Sequence, residues 1–261
     1  MWSRSLVLII IMNLLMTGCK PTEPTAGSSR ISDLDHMEQV YVPAGAFAMG
    51  ASQDDKTADA DEIPQHKVYL DSFWLDRTEI TNAMYTRCVT AKGCTPPVHS
   101  DRYGKPEYAN HPVPGVAWTQ AQSYCMWAGR RLPTEAEWEK AARGTDGRMY
   151  PWGNFPPDKN LLNFNQQVND TTAVGSYLEG ASPYGALDMA GNVWEWVADW
   201  YDPEYYTHSP ASNPTGGIEG NLRVLRGGNR DSNVKNVRVT ERFWAFPGRN
   251  DTDGFRCAQS N

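Results

Sequence analysis

The stretch "GRRLPTEAEWEKAARG", Gly129 to Gly144, carries the reading of the fold. Thr134 with Glu137 three residues on is a capping box, in which each side chain accepts a hydrogen bond from the other's backbone N–H. Pro133 stands just ahead of that N-cap, and Gly144 sits where a helix end wants a left-handed residue. The helix predicted between them has Trp138, Ala141 and Ala142 on an apolar side, with Ala136 turned the same way as Lys140. Just upstream, "WTQAQSYCMWAG" predicts a second helix ending at Gly129, with Thr119 and Gln122 as its capping box. Thr81 or Asn82 caps a third, which carries Tyr85 and Cys88.

Outside the helices the chain reads as short pieces. "EQVYVPAGAFAMG", from Glu38, gives two short strands around a Pro-Ala-Gly turn, and "HKVYLDSFWLDRTEIT" alternates as a strand. Between them "ASQDDKTADADEIPQ" is acidic but lacks the regular Asp spacing and glycine of an EF-hand, so a solvated loop is expected. From Tyr150 onward the chain predicts loops and short strands without a repeat. The 22 Gly, 18 Pro, 10 Trp and 12 Tyr fit many turns around an aromatic core and argue against a helix bundle or a Rossmann sheet. A length of 261 residues, 40% of them hydrophobic, fits one domain plus a tail. The net charge of −7, with no basic stripe, excludes nucleic acid as a partner.

The N-terminus is a separate object. "MWSRSLVLIIIMNLLMTGCK" has Arg4 in a polar start, an apolar run from Leu6 to Met16, and small residues before Cys19. It reads as an export signal over residues 1–18, the run being shorter than the roughly 20 residues of a membrane-spanning helix. "LMTGC" resembles a bacterial lipobox, which implies that Cys19 is lipidated and that the domain lies outside the cytoplasm, in the cell envelope, anchored to a membrane. Lys20, rather than Asp, follows that cysteine, which favours the outer membrane under the usual lipoprotein sorting rule. Residues 19–37 are rich in Pro, Ser, Thr and Gly and are expected to be a flexible tether, with the domain spanning 38–261.

Setting Cys19 aside leaves Cys88, Cys94, Cys125 and Cys257, an even number that suits an oxidising compartment. Cys88 and Cys94 could close a small loop, leaving Cys125 to reach Cys257. A zinc site lacks both the spacing and the nearby histidines.

Seven blocks then carry a resemblance: "VYVPAGAFAMG", "EIPQHKVYLDSFWLDRTEITNAMY", "PVPGVAWTQAQSYCMWAGRRLPTEAEWEKAARG", "YPWGN", "ALDMAGNVWEWVADWY", "RVLRGGNRDS" and "DGFRCA". In this order, across Met37 to Ala258, they resemble the formylglycine-generating enzyme (sulfatase-modifying factor) family. The resemblance implies an α+β fold, a single compact domain related to C-type lectins, with little regular secondary structure. It also implies pairing of Cys125 with Cys257, while Ala142 stands where the family's second disulfide would have a cysteine. For calcium it implies a first site from the Asp188 and Glu195 side chains with the Gly191 and Val193 carbonyls, all hard oxygens. A second would use Asn163, the Phe164 carbonyl, Asp170 and the Thr172 carbonyl, in a loop shorter than the enzymes'.

Active members follow the paired glycines with a serine and two cysteines that bind copper(I) and oxidise a substrate cysteine to formylglycine. Counted from Gly227 and Gly228, the serine position is Asn229 and the cysteine positions are Ser232 and Val237. Copper(I) needs soft thiolates, which neither residue supplies, so copper is not expected here. The histidines show no metal-ligating spacing, and Ser232 lacks the G-x-S-x-G context of a hydrolase. The leading expectation is therefore a member without copper oxidase activity that binds an exported protein or peptide through the family's groove. Trp194, Asn229, Arg230, Ser232, Arg238 and Arg242 are the candidate groove residues, the arginines suiting an acidic segment. Two alternatives stay open: an enzyme that matures an exported protein through another centre, and a lectin-like or structural envelope protein.

Overall fold

The computed structural model describes residues 23–97, 101–249 and 253–261. In chain order its elements are β1 Ser29–Ile31, β2 Glu38–Val42, β3 Gly45–Met49, β4 His66–Leu70, β5 Phe73–Asp76, α1 Asn82–Thr90, α2 Trp118–Trp127, α3 Glu135–Arg143, β6 Glu195–Trp200, β7 Arg223–Arg226, β8 Phe243–Ala245, β9 Gly254–Phe255 and β10 Ala258–Ser260. One sheet runs β1-β2-β5-β10 and a second β8-β7-β6-β9, while β3 and β4 pair alone. All pairings are antiparallel except β6 with β9. Short elements joined by long connections are what the glycine and proline content predicts, and the fold is α+β as expected.

The Thr134–Glu137 capping box forms, with the Glu137 N–H donating to Thr134 Oγ1 at 3.2 Å and the Thr134 N–H to Glu137 Oε2 at 2.8 Å. The helix it starts, α3, packs against β3, β4, β6 and β7 and is buried on every side. Trp138, Ala141 and Ala142 meet Phe47, Val68, Val197 and Val224 in the main core. Its charged residues are paired: Glu135 with Arg242, Glu139 with Arg226 and Arg143, Glu137 with Arg131. Lys140 donates to the carbonyls of Pro43 and Gly45, and burial pulls its pKa down to about 8. An amphipathic pattern thus ends up wholly interior because arginines before, within and after the helix satisfy its carboxylates.

A second core gathers Tyr85 and Cys88 of α1, Tyr124 and Cys125 of α2, and Trp196, Phe255 and Cys257. Both disulfides run through it, Cys88–Cys94 and Cys125–Cys257. The second ties α2 to the C-terminal strands across 132 residues.

Three expectations are corrected. The α2 helix begins at Trp118, so Thr119 lies inside its first turn; Gln120, not Gln122, accepts the Ala117 N–H at 3.0 Å. "HKVYLDSFWLD" is two strands in different sheets, broken at Asp71–Ser72. The tether does not extend to residue 37, because β1 pairs with β2 and Asp35 is fully buried against Arg130 and Tyr124. That segment is fixed by backbone pairing and one buried ion pair, neither of which shows as apolar periodicity. The export signal expected over residues 1–18 and the lipidation expected at Cys19 lie outside the described residues.

Candidate functional site

After β7 the chain turns sharply at Gly227 and Gly228, whose φ angles are 93° and 77°. A Cβ on Gly228 would stand 2.6 Å from the Asn236 carbonyl oxygen, and one on Gly227 would stand 3.1 Å from the Trp138 ring. Only glycine fits a left-handed turn pressed that closely between a core tryptophan and the returning chain at Asn236.

The turn closes on itself. Ser232 Oγ accepts the Asn229 N–H at 2.9 Å and donates to Asn229 Oδ1 at 3.0 Å. Asn233 then caps the short turn Val234–Val237 by accepting the Lys235 and Asn236 N–H groups. From outside, Asn165 and Gln166 donate to the Ser232 and Arg230 carbonyls, and the Arg230 N–H reaches the Asn192 carbonyl. Asn229, Arg230 and Ser232 are therefore brought together, as the sequence implies.

The two family cysteine positions have different fates. Ser232 is nearly buried, its hydroxyl engaged with Asn229. Val237 is fully buried in an apolar cluster with Tyr150, Leu162, Phe164 and Ala190. The four cysteines of the described residues are all in disulfides. A hydroxyl, an isopropyl group and two disulfides do not make a copper(I) donor set.

Three groove candidates are elsewhere. Trp194 is buried in the second core, its ring stacked on Phe243 at 5.0 Å. Arg238, 1% exposed, holds Glu62 through both guanidinium nitrogens at 2.7 and 2.6 Å and Glu241 at 2.9 Å. Burial opposes its charge, but Glu62 and Glu241 more than offset this and raise its pKa. Arg242 is likewise buried on Glu135 and stacks over Tyr206 at 4.4 Å. Neither arginine is free to meet an acidic partner. Glu62, the partner of Arg238, and the Asp61 carbonyl, bonded to Arg242, show that the acidic 51–65 loop is strapped down and not merely solvated.

The first calcium set carries surplus negative charge, although both Glu195 oxygens are held by Arg256 at 2.7 Å and one also takes the Trp138 indole N–H. Asp188, Glu195 and the neighbouring Glu79 are all buried, with Arg256 the cation that faces them. Burial, then the other carboxylates, pushes Glu79 well above its ordinary range; burial chiefly raises Asp188 to about 6. Surplus buried negative charge of this kind is what a hard divalent cation relieves. Glu79 is missed by the sequence reading because it lies far from the "DMAGNVWEW" block.

The second set is partly committed to arginines. Asp170 is clasped by Arg102 at 2.8 Å, Arg230 at 3.0 Å and the Tyr108 hydroxyl at 2.9 Å. Burial raises its pKa, but these partners and the Thr171 N–H outweigh it, so the carboxyl stays ionised for its arginines. The Thr172 carbonyl accepts from Asn192, and Asn163 donates to the Asp170 carbonyl, leaving Asn163 Oδ1 buried without a hydrogen-bond partner.

Residues 27–261 match the sulfatase-modifying factor enzyme 1-like domain, nine-tenths of the chain. The chain belongs to this family. It is 36% identical over 281 residues to the formylglycine-generating enzyme of Streptomyces coelicolor, covering 84% of this chain and 88% of that enzyme. It is 40% identical over 242 residues to the serine/threonine-protein kinase pkn1 of Chlamydia caviae, covering 85% of this chain but only 38% of that protein. Among solved structures, PvdO from Pseudomonas aeruginosa superposes with a TM-score of 0.79 at 27% identity, over 92% of this chain and all of that one. Membership accounts for the fold and for the Gly227–Gly228 turn.

Proposed function

We propose that this family member does not oxidise through copper and serves as an exported, lipid-anchored protein that binds a protein or peptide partner at the turn Asn229–Asn236. The observation that carries the reading is Val237, a fully buried valine at a position where the family's chemistry requires a thiolate. With Ser232 bonded to Asn229, the segment has hydrogen-bonding groups but no soft ligand and no histidine-activated nucleophile. Its outer side offers Asp231, Val234 and Lys235, all exposed, beside the half-buried Arg230. Backbone bonds to 165 and 166 hold these groups on a rigid loop, the arrangement that lowers the entropic cost of binding. A structural calcium at Asp188 and Glu195, with the Gly191 and Val193 carbonyls, belongs to the same reading and would supply counter-charge only.

The test incubates the purified protein with copper(I), oxygen and a Cys-x-Pro-x-Arg peptide and follows peptide mass. No conversion above the copper-only control is expected. Conversion would restore an oxidase whose centre lies outside Ser232 and Val237. Export is tested separately: Cys19→Ala should move the protein from the membrane to the soluble fraction, and an unchanged distribution counts against the lipid anchor.

A further inference from the structure

We propose a second binding site, for an organic cation with an aliphatic stem, in the hollow formed by the connection between β6 and β7. None of its residues belongs to the Gly227–Val237 turn, so the inference stands apart from the reading above. The hollow is about 570 Å³, a size that takes a small ligand or a long side chain. Tyr201 and Tyr205 line it with Pro203, Pro210 and Ile218, an apolar and aromatic lining suited to a methylene stem.

Charge selects the ligand. The ionisable side chains of the lining, tyrosines aside, are Asp202, Glu219 and His208, with no lysine or arginine. Both residues approach Gly217, whose added Cβ would lie 3.7 Å from the Asp202 Cβ and 3.5 Å from the Glu219 backbone carbonyl oxygen. Asp202 accepts the Glu204 N–H and stands 3.4 Å from the exposed His208 imidazole. Glu219 is exposed and makes no ion pair or side-chain hydrogen bond among the described residues. Two guanidinium groups lie outside the lining: Arg242, paired with Glu135, reaches the Asp202 carbonyl and lies 5.2 Å from the Tyr201 ring, and Arg223 stacks over Trp200 at 3.3 Å and donates to the Ala198 carbonyl. Two acids in a tyrosine-lined hollow, Asp202 shared with the His208 imidazole and Glu219 without an ion pair, form an electrostatic match for an ammonium or guanidinium group.

A larger cleft of about 930 Å³ beside Trp118 and Met126 lacks this feature. Its lining carries a resident cation, Arg131, paired with Glu137 at 2.6 Å, alongside Glu23 and Asp71, the latter bonded to Asn213 at 2.9 Å. Ile218, fully exposed, adds to the contrast: one exposed isoleucine means little, but this one stands at the mouth of an acidic, aromatic hollow.

Calorimetric titration of the intact protein at low salt, with N-acetyl-lysine methylamide and with butylguanidinium as probes, tests the site. N-acetyl-norleucine methylamide is the uncharged control. Saturable binding of at least one cation is expected, with the control weaker by about tenfold or more. Asp202→Asn with Glu219→Gln should weaken the cation by a similar factor. Gly217→Leu keeps both charges and should block the hollow sterically, its Cβ meeting nothing nearer than 3.5 Å. Melting curves that match the parent's show that the variants fold. Equal affinity for the cation and its neutral control, undiminished binding in the double variant, or no saturable binding of either cation overturns the proposal.

Discussion

Arg238 decides whether the arginines after the glycine turn face a partner or hold the fold together, so Arg238→Met is the informative substitution. Methionine fills much of the same volume, which keeps the cavity term small. What it removes is the cation shared by Glu62, wholly buried, and Glu241, 5% exposed. It also removes the Nε bond to the Lys235 carbonyl at 2.8 Å and the Nη1 bond to Thr240 Oγ1 at 3.1 Å. Deleting one partner of a buried ion pair costs about 3–5 kcal/mol, because the remaining charge stays interior without compensation. For a domain of this size that is a fall of about 6–20 °C in Tm.

Urea denaturation at pH 7, followed by tryptophan fluorescence, measures the loss directly. Burial already holds the Glu241 carboxyl above its ordinary value, and removing Arg238 raises it further. A raised folded-state pKa means that folding takes up a proton, so lowering the pH from 7 toward 5 should narrow the gap between variant and parent. Arg230→Met is the control, since that side chain is partly exposed and its pair should cost only about 0–1 kcal/mol. An Arg238→Met loss below about 1 kcal/mol, or a gap that widens toward acid, would refute the buried-clamp argument and return Arg238 to the binding surface.

Calcium should raise the Tm of the parent and not of Asp188→Asn; a parent Tm that differs by less than about 1 °C between chelator and millimolar calcium removes the metal from the site. Without calcium, Asp188, raised to about 6 from its ordinary 3.8, favours the folded state most in acid. Stability should therefore fall as pH rises through that window, and Asp188→Asn should flatten the profile. Cys125→Ser with Cys257→Ser opens a loop of 132 residues and should cost about 5 kcal/mol, against about 2 for the six-residue Cys88–Cys94 loop, in denaturant titrations. Thr134→Ala removes one half of the α3 capping box and should cost about 1 kcal/mol by the same assay.

The parts of the fold legible in the sequence are those specified locally. The Thr134–Glu137 box, the Thr81 cap and the Gly129 and Gly144 stops depend on residues within a few positions of each other. Thr119 misled because a Thr-x-x-Gln pattern also occurs one turn into a helix, where Gln120 can close the N-terminus without a hydroxyl partner. Long-range charge pairing left no trace in the sequence. Nothing near Arg238 indicates that Glu62, 176 residues earlier, neutralises it, and nothing near Asp35 announces Arg130. Arg238 and Arg242 were therefore placed correctly in the chain and wrongly in space, and Trp194 likewise went to Phe243.

The same distinction explains why a segment can keep the family's glycine turn without the family's thiolates. Gly227 and Gly228 are required by contacts that have nothing to do with metal: the Trp138 ring on one side, the Asn236 carbonyl and Val237 on the other. Trp138 is itself fixed by its indole N–H on Glu195 at 2.9 Å, and Glu195 by Arg256. A thiolate pair adds nothing to that scaffold. Ser232 satisfies the turn through Asn229, and Val237 fills its apolar pocket about as a cysteine thiol would, without exposing a polar atom. The glycine pair consequently reports on packing against α3, while the two positions after it, read for donor softness, report on reaction. For this chain the first test is met and the second is not, which is why its function is sought in surfaces that bind.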